Sequence, residues 1–125
     1  MFYLGYVLFM PGHKLALSDE ALDLVAARFR LLGDATRLRI LRALMDGEHT
    51  VQELCGVCVL AQPNVSRHLS LLRREGVVDR TRQGKHSHYR IVDSSLRDLC
   101  ERVCGGLARQ RSDELGVLSA EGGAI

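Results

Sequence analysis

Residues 51–92 hold two short helical patterns joined by a tight turn, and a hairpin pattern follows them directly. Thr50 and Glu53 form a capping box for the first helix. Pro63 stands in the first turn of the second helix, where its missing N–H costs no hydrogen bond. The inward side of the second helix is formed by Val65, Leu69 and Leu72. This layout predicts a helix-turn-helix that presents its second helix outward.

The hairpin pattern consists of two strand-like runs, 77–82 and 86–92, around Gln83-Gly84-Lys85. Gly84 supplies the residue for which a positive φ carries no steric cost. A helix delivered by a tight turn fits the major groove of DNA, and a hairpin beside it reaches the neighbouring backbone or minor groove. The segment therefore predicts a DNA-reading unit.

Helical periodicity recurs on both sides of this unit. Ser18 begins one amphipathic helix that ends at Gly33, and Asp34 begins another that Gly47 terminates. A last helix is predicted to start near Ser95. Its apolar stripe consists of Leu96, Leu99, Val103 and Leu107. The predicted fold is mainly α with a β-hairpin wing (α+β), a winged helix-turn-helix in the order ααααββα.

Charge is concentrated on the predicted reading unit. Residues 62–90 contain seven basic and two acidic side chains, a net charge of +5 in a chain of net charge +2. A basic face on a nearly neutral chain indicates a polyanionic partner, although a solvated helix face has a similar composition. The residues predicted to contact DNA are Gln62, Asn64, Ser66, Arg67, His68, Arg73, Arg82, Lys85, His86 and His88.

The 125 residues are enough for one domain, predicted over 18–111, with a flexible tail over 112–125. Residues 1–17 are predicted to be an N-terminal arm, disordered, packed on a dimer, or partly the product of an upstream start codon before Met10. The opening run MFYLGYVLFM is too short to span a membrane, and no basic residue precedes it as in a signal peptide. We therefore expect a cytoplasmic protein with reduced thiols and no membrane partner. No phosphate loop, nucleophile elbow or HExxH signature is present, so no enzyme is predicted.

Three phrases carry a family resemblance: ALDLVAARFRLLGDATRLRILRAL, QPNVSRHLSLLRREGVV and RQGKHSHYRIV. Together they resemble the ArsR/SmtB family of winged-helix repressors over roughly residues 19–110. The resemblance implies a homodimer formed through the first and last helices. It also implies that the dimer binds double-stranded operator DNA, with an inverted repeat expected, and leaves it when an inducer binds.

The resemblance does not extend to the two well-known metal sites of that family. The positions of the Cys-x-Cys site on the third helix are Thr50-Val51-Gln52 here. In the site on the last helix, Asp93 matches the first position, but Ser95, Gly106 and Arg109 replace the other ligands. Neither sensor is carried over to this chain.

The chain has its own cysteine pairs instead. Cys100 and Cys104 lie four apart on the last helix, a spacing that suits trivalent arsenic or antimony, or a soft divalent metal. A third ligand would come from the other subunit, the tail or a non-protein thiol. Cys55 and Cys58 lie three apart on the third helix, where packing is the favoured interpretation and inducer binding the second. For Cys100 and Cys104, sensing and packing stay equally open.

Other interpretations of the same residues stay open. A close thiol pair also oxidises or accepts a persulfide, which would make a redox switch of the same fold. A metal-handling protein without a DNA role would rest on the cysteines alone and leaves the basic hairpin unexplained. His86 and His88 share one face of a strand and could bind a metal, but polar wing residues near phosphate are the favoured interpretation. No cofactor is predicted with certainty.

Overall fold

A computed structural model of the chain describes residues 17–115. Their elements follow in the order α1 (Asp19–Leu32), α2 (Ala35–Met45), β1 (His49–Thr50), α3 (Val51–Cys58), α4 (Gln62–Arg74), β2 (Val78–Gln83), β3 (His86–Ile91) and α5 (Ser94–Leu115). This order confirms the predicted α+β winged helix-turn-helix and adds one short strand, β1. The chain divides into two compact units, which meet in sequence between Leu38 and Arg39.

Helix α1 in the first unit is capped at both ends as its sequence predicts. The hydroxyl of Ser18 accepts a hydrogen bond of 3.1 Å from the Ala21 N–H, and acidic residues occupy the first turn. The N–H of Gly33 donates to the Arg30 carbonyl at 3.2 Å and ends the helix. These contacts satisfy backbone groups that a helix end otherwise leaves without partners.

Arg37 ties the end of α1 to the start of α2. Its Nε donates to the Leu31 carbonyl at 2.6 Å, and its Nη2 donates to the Arg30 carbonyl at 3.3 Å. Asp34 caps α2 by accepting the Arg37 N–H at 3.0 Å, and its second oxygen lies 3.8 Å from the Arg37 guanidinium. The phrase GDATR thus has a structural role in joining two helices, which sequence reasoning missed.

The second unit has an aliphatic core. Its fully covered side chains are Ile40, Leu41, Leu44, Leu54, Val65, Leu69, Leu72, Val77 and Val78. The three inward residues predicted for α4 are confirmed, each with no exposed surface. On α2, Leu38 is 41% exposed, whereas Ile40 is buried.

A three-stranded antiparallel sheet with the order β1-β3-β2 completes the second unit. Thr81 on β2 and Thr50 on β1 both lie opposite His88, so β3 is the central strand. Gly84 has a positive φ of +64°, as predicted, and the turn itself consists of the two residues Gly84 and Lys85. Gln83, predicted to lie in the turn, is the last residue of β2 and pairs with His86.

Helix α5 begins one residue before the predicted start and runs to Leu115, four residues beyond the predicted domain end at Arg111. The carboxylate of Asp93 caps it by accepting the N–H of Ser95 at 3.0 Å. Arg97 donates to the Met45 carbonyl at 2.9 Å and so fixes the first turn of α5 to the end of α2. The predicted arm lies outside the described residues except for Leu17.

Candidate nucleic-acid interface

Helix α3 is fixed at its start by the predicted capping box. The Thr50 hydroxyl accepts the Glu53 N–H at 3.2 Å, and the Glu53 carboxylate accepts the Thr50 N–H at 2.9 Å. That backbone hydrogen bond is the main cause of the lowered pKa of Glu53, and the charges of His49 and His88 lower the pKa further. Leu54 anchors the helix in the core with no exposed surface.

The turn between α3 and α4 depends on one residue with a left-handed backbone. Val59 has φ 55° and ψ 56°, and its side chain is 86% exposed. The backbone N–H groups of Val59 and Leu60 both donate to the Cys55 carbonyl, the latter at 3.1 Å. A β-branched residue rarely adopts this conformation, so these hydrogen bonds hold the turn against local strain.

Helix α4 turns its polar side away from the core. Gln62 and Arg67 are exposed, while Asn64, Ser66 and His68 are half-buried. The Nη2 of Arg67 donates to the Asn64 Oδ1 at 2.9 Å, which orders the guanidinium on the helix surface. The structure therefore brings the five predicted residues of α4 onto one helix whose opposite side is buried.

The hairpin presents its basic residues near the turn. Arg82, Lys85 and His86 are exposed, and the Nε of Arg82 donates to the Gly84 carbonyl at 3.3 Å. Further along the strands, Arg90 donates to the Thr81 hydroxyl at 2.6 Å across the hairpin. Arg82, Lys85 and His86 thus form an exposed basic group at the end of the hairpin.

His88 has a different environment from His86. It is half-buried in the central strand and close enough to Glu53 for its charge to lower the pKa of that carboxylate. Within residues 17–115, no three side chains of His, Cys, Asp or Glu lie together in a way that could hold a metal ion. The histidine pair therefore lacks a third protein ligand in the described part of the chain.

Arg73 is directed toward β2. Its Nε lies 3.2 Å from the Asp79 Oδ1, an ion pair that links the last turn of α4 to the first residues of the wing. The backbone N–H of Arg80 and then the Arg73 guanidinium lower the pKa of Asp79. In this structure Arg73 positions the wing relative to the helix.

The four cysteines are free thiols. Cys55 and Cys58 are both half-buried, a degree of burial that leaves packing and inducer binding open for this pair. The Cys58 thiol lies 3.6 Å from the Arg39 carbonyl, to which it donates, and burial raises its pKa. The α3 pair therefore occupies the margin of the core.

Cys100 is half-buried and Cys104 is exposed one helical turn later. Burial is the main cause of the raised pKa of Cys100, and the Cys104 thiol and Glu101 raise it further. The Cys104 thiol is thus close enough to Cys100 to contribute to its raised pKa, which agrees with their spacing on the helix.

Comparison with known proteins identifies the family to which this geometry belongs. A family model described as "Bacterial regulatory protein, arsR family" matches residues 34–80. The regulator CmtR of Mycobacterium bovis is 45% identical over 64% of this chain and 69% of its own length. The chain belongs to the ArsR family of bacterial transcriptional regulators. This confirms the resemblance seen in the sequence, and with it the prediction of a regulator, not an enzyme.

Two further relatives show how far the likeness extends. The arsenical resistance operon repressor of Escherichia coli is 45% identical over 50% of this chain and 55% of its own length. The solution structure of a homodimeric winged helix-turn-helix DNA-binding domain from M. bovis has a TM-score of 0.70 and 27% identity, and it covers 83% of this chain and 95% of that one. The chain spans between about half and two thirds of the length of the first curated relatives it matches. No described helix of this ArsR-family chain is long and apolar enough to cross a membrane.

Proposed function

We propose that this ArsR-family chain acts in the cytoplasm as a homodimeric repressor that binds an inverted-repeat operator. Helix α4 would enter the major groove, and the hairpin turn would contact the adjacent backbone. The observation that carries the proposal is the division of α4 into a fully buried side and an exposed polar side. Family membership makes DNA the expected partner, which leaves a metal-handling protein without a DNA role unsupported.

The assignment of roles within the interface follows from exposure and hydrogen bonding. Arg67 is exposed and ordered by Asn64, so it is suited to bidentate recognition of a guanine edge. Lys85 is exposed at the hairpin turn and suited to a phosphate contact. Gln62, Ser66 and His68 complete the predicted reading side, and Arg82, His86 and His88 the predicted wing contacts.

The dimer proposal rests on apolar surface that the chain does not cover. Val103 and Leu107 on α5 are each 50% exposed, and α1 exposes Leu24 and Phe29 at 73% and 54%. Exposed apolar residues on predicted interface helices are typical of a surface buried by a partner. The structurally similar M. bovis domain is homodimeric, which supports a second copy of this chain as the partner.

Release from DNA is proposed to depend on Cys100 and Cys104. Two neighbouring thiols, one of them exposed, provide ligands for a soft ion such as trivalent arsenic. One E. coli relative is an arsenical resistance operon repressor, which supports a metalloid inducer. Oxidation or persulfidation of the same pair is the second candidate, supported by the closeness of the Cys104 thiol, which contributes to the raised pKa of Cys100. Cys55 and Cys58 are the lesser candidates for either role.

The DNA-binding proposal is tested by fluorescence anisotropy with a duplex from the chain's own promoter and an unrelated duplex. Arg67→Ala should weaken operator binding by about 1–3 kcal/mol and reduce discrimination between the two duplexes. Lys85→Ala should weaken both complexes alike and lower the salt slope by about 1. Glu48→Ala, at an exposed position outside the interface, is the control. Absence of salt-sensitive, sequence-dependent binding by the wild-type dimer would refute the proposal.

A further inference from the structure

A cleft of about 400 Å³ lies beside the proposed DNA-reading residues, between the second half of α4 and strand β2. Its polar lining consists of Ser70, Arg73, Arg74, Asp79, Arg80 and Tyr89. Apart from Arg73, none of these residues belongs to the predicted DNA contacts. The cleft is therefore a separate feature of the molecule that needs its own explanation.

The positive charge of the cleft exceeds what the protein neutralises. Asp79 is ionised and paired with Arg73 at 3.2 Å. Arg80 donates to the Tyr89 hydroxyl at 3.3 Å, which orients the guanidinium without pairing it with a carboxylate. Within residues 17–115, Arg74 has no hydrogen-bond or ion-pair partner. Two of the three guanidinium charges in the cleft are thus uncompensated.

The geometry of these groups favours an oxyanion. Arg74 comes from the last turn of α4 and Arg80 from β2, so the two arginines line the cleft from two different elements. The Arg73–Asp79 ion pair links the same two elements and holds the walls together. Guanidinium groups present planar sets of N–H donors that match phosphate oxygens, and Ser70 adds a hydroxyl donor.

We propose that this cleft binds a phosphate group between Arg74 and Arg80. The phosphate has two possible sources: the backbone of DNA held by α4 and the wing, or a free phosphate-bearing small molecule. The first source rests on the proposed function, because it requires bound DNA. The second does not, since it requires only the folded chain.

The DNA source is tested by measuring binding constants from 50 to 200 mM salt for the operator and an unrelated duplex. Arg74→Gln and Arg80→Gln should each lower the slope of log K against log salt by about 0.9, equally on both duplexes. The control is Arg42→Gln, which removes the same charge from an exposed position on α2 outside the cleft. Circular dichroism checks that each variant is folded.

The free-ligand source is tested by titrating the DNA-free protein with inorganic phosphate at constant ionic strength. The amide NMR signals of Ser70 and Arg80 should then shift in a saturable manner in the wild type and in Arg42→Gln, but not in Arg74→Gln. A reduced salt slope in Arg74→Gln and Arg80→Gln would assign the phosphate to the DNA backbone. Unchanged salt slopes together with saturable NMR shifts in the wild type would assign it to a free ligand. Unchanged slopes together with no saturable shifts would overturn the phosphate site. If the wild type binds no DNA, the proposed function fails and the titration alone decides the cleft.

Discussion

Helices α4 and α5 both carry an apolar stripe, but among residues 17–115 only the stripe of α4 is fully covered. Val65, Leu69 and Leu72 on α4 have no exposed surface. On α5, Leu96 is 3% exposed, whereas Val103 and Leu107 are each 50% exposed. The apolar side of α4 is buried within the described part of one chain, whereas Val103 and Leu107 on α5 would need a further surface to cover them.

This difference in burial separates a helix that is held in place from a helix that can respond to a partner or a ligand. A helix held by three fully buried side chains presents its polar side in a fixed orientation, as base reading requires. A helix with half-exposed apolar residues and two accessible thiols is sensitive to a partner or a ligand. The proposed DNA reading and the proposed release signal thus lie on helices with different degrees of burial.

The largest change in stability is expected from a substitution on the buried side of α4. Leu69→Ala leaves a cavity under α4 and should lower the free energy of unfolding by about 2–5 kcal/mol. Leu107→Ala removes the same atoms from a half-exposed position on α5 and should cost far less in the unfolding of a monomer. Urea denaturation at low protein concentration measures both values. Equal losses in the two variants would contradict the contrast.

Leu107→Ala also tests the proposed partner of α5. If a second copy covers this residue, the variant should dissociate at a higher protein concentration than the wild type. Sedimentation equilibrium measures the dissociation constant of each. Leu24→Ala on α1 provides the corresponding test for the other predicted interface helix. Unchanged dimerisation in both variants would exclude these faces from the interface.

The next effect concerns the pH dependence of the thiol site. Burial raises the pKa of Cys100, so this thiol is protonated near neutral pH. A divalent ion such as Cd²⁺ must displace a proton from each thiol that it binds. Its apparent affinity should therefore rise between pH 6 and 8, by about tenfold per pH unit for each thiol that loses a proton.

Competition for Cd²⁺ against a chelator of known pH dependence gives these affinities. Arsenous acid is the contrasting ligand, because its exchange of hydroxide for thiol releases water and no net proton. Its affinity should change little over the same range. A Cd²⁺ affinity independent of pH would exclude protonated thiols as the ligands.

The smallest effect tests the turn that orients α4. Val59 adopts a left-handed conformation in which a β-branched residue is strained. Val59→Gly should relieve the strain, which is typically about 1–2 kcal/mol. Glycine also gains conformational freedom in the unfolded chain, and this offsets part of the gain. The free energy of unfolding should therefore rise by up to about 1 kcal/mol. Thermal and urea unfolding would detect the change. A loss of stability would show that the exposed Val59 side chain contributes more than its backbone costs.

The local features of the reading unit could be predicted from sequence because they depend on nearby residues. The capping box of Thr50 and Glu53, the inward side of α4 and the positive φ of Gly84 each follow from short-range chemistry. Strand β1 could not be predicted, since two residues carry no periodicity and form a strand only by pairing with β3. The half-burial of Cys58 could not be predicted for a related reason, because helical spacing gives the direction of a side chain but not how much of it is covered.

Tertiary contacts account for what was missed at the candidate site. The contact of Arg73 with DNA stays a prediction, whereas its ion pair with Asp79 was not predicted, because that pair depends on how β2 lies against α4. The cleft of Arg74 and Arg80 likewise exists only because the helix and the strand are brought together. Arg37 lies in a sequence motif that carries the family resemblance. Its hydrogen bonds to the Leu31 and Arg30 carbonyl groups depend on the fold and could not be predicted from that motif.

We propose a division of roles in which α4 and the wing hold DNA while Cys100 and Cys104 control release. It is tested most directly by titrating the operator-bound dimer with arsenite, Cd²⁺ and polysulfide while following fluorescence anisotropy. The test variant is Cys100→Ser with Cys104→Ser, and the matched control is Cys55→Ser with Cys58→Ser. We expect the wild type and both double variants to bind the operator equally. Only the test variant should stay bound when an inducer is added. Release of the test variant at the same inducer concentration as the wild type would contradict it.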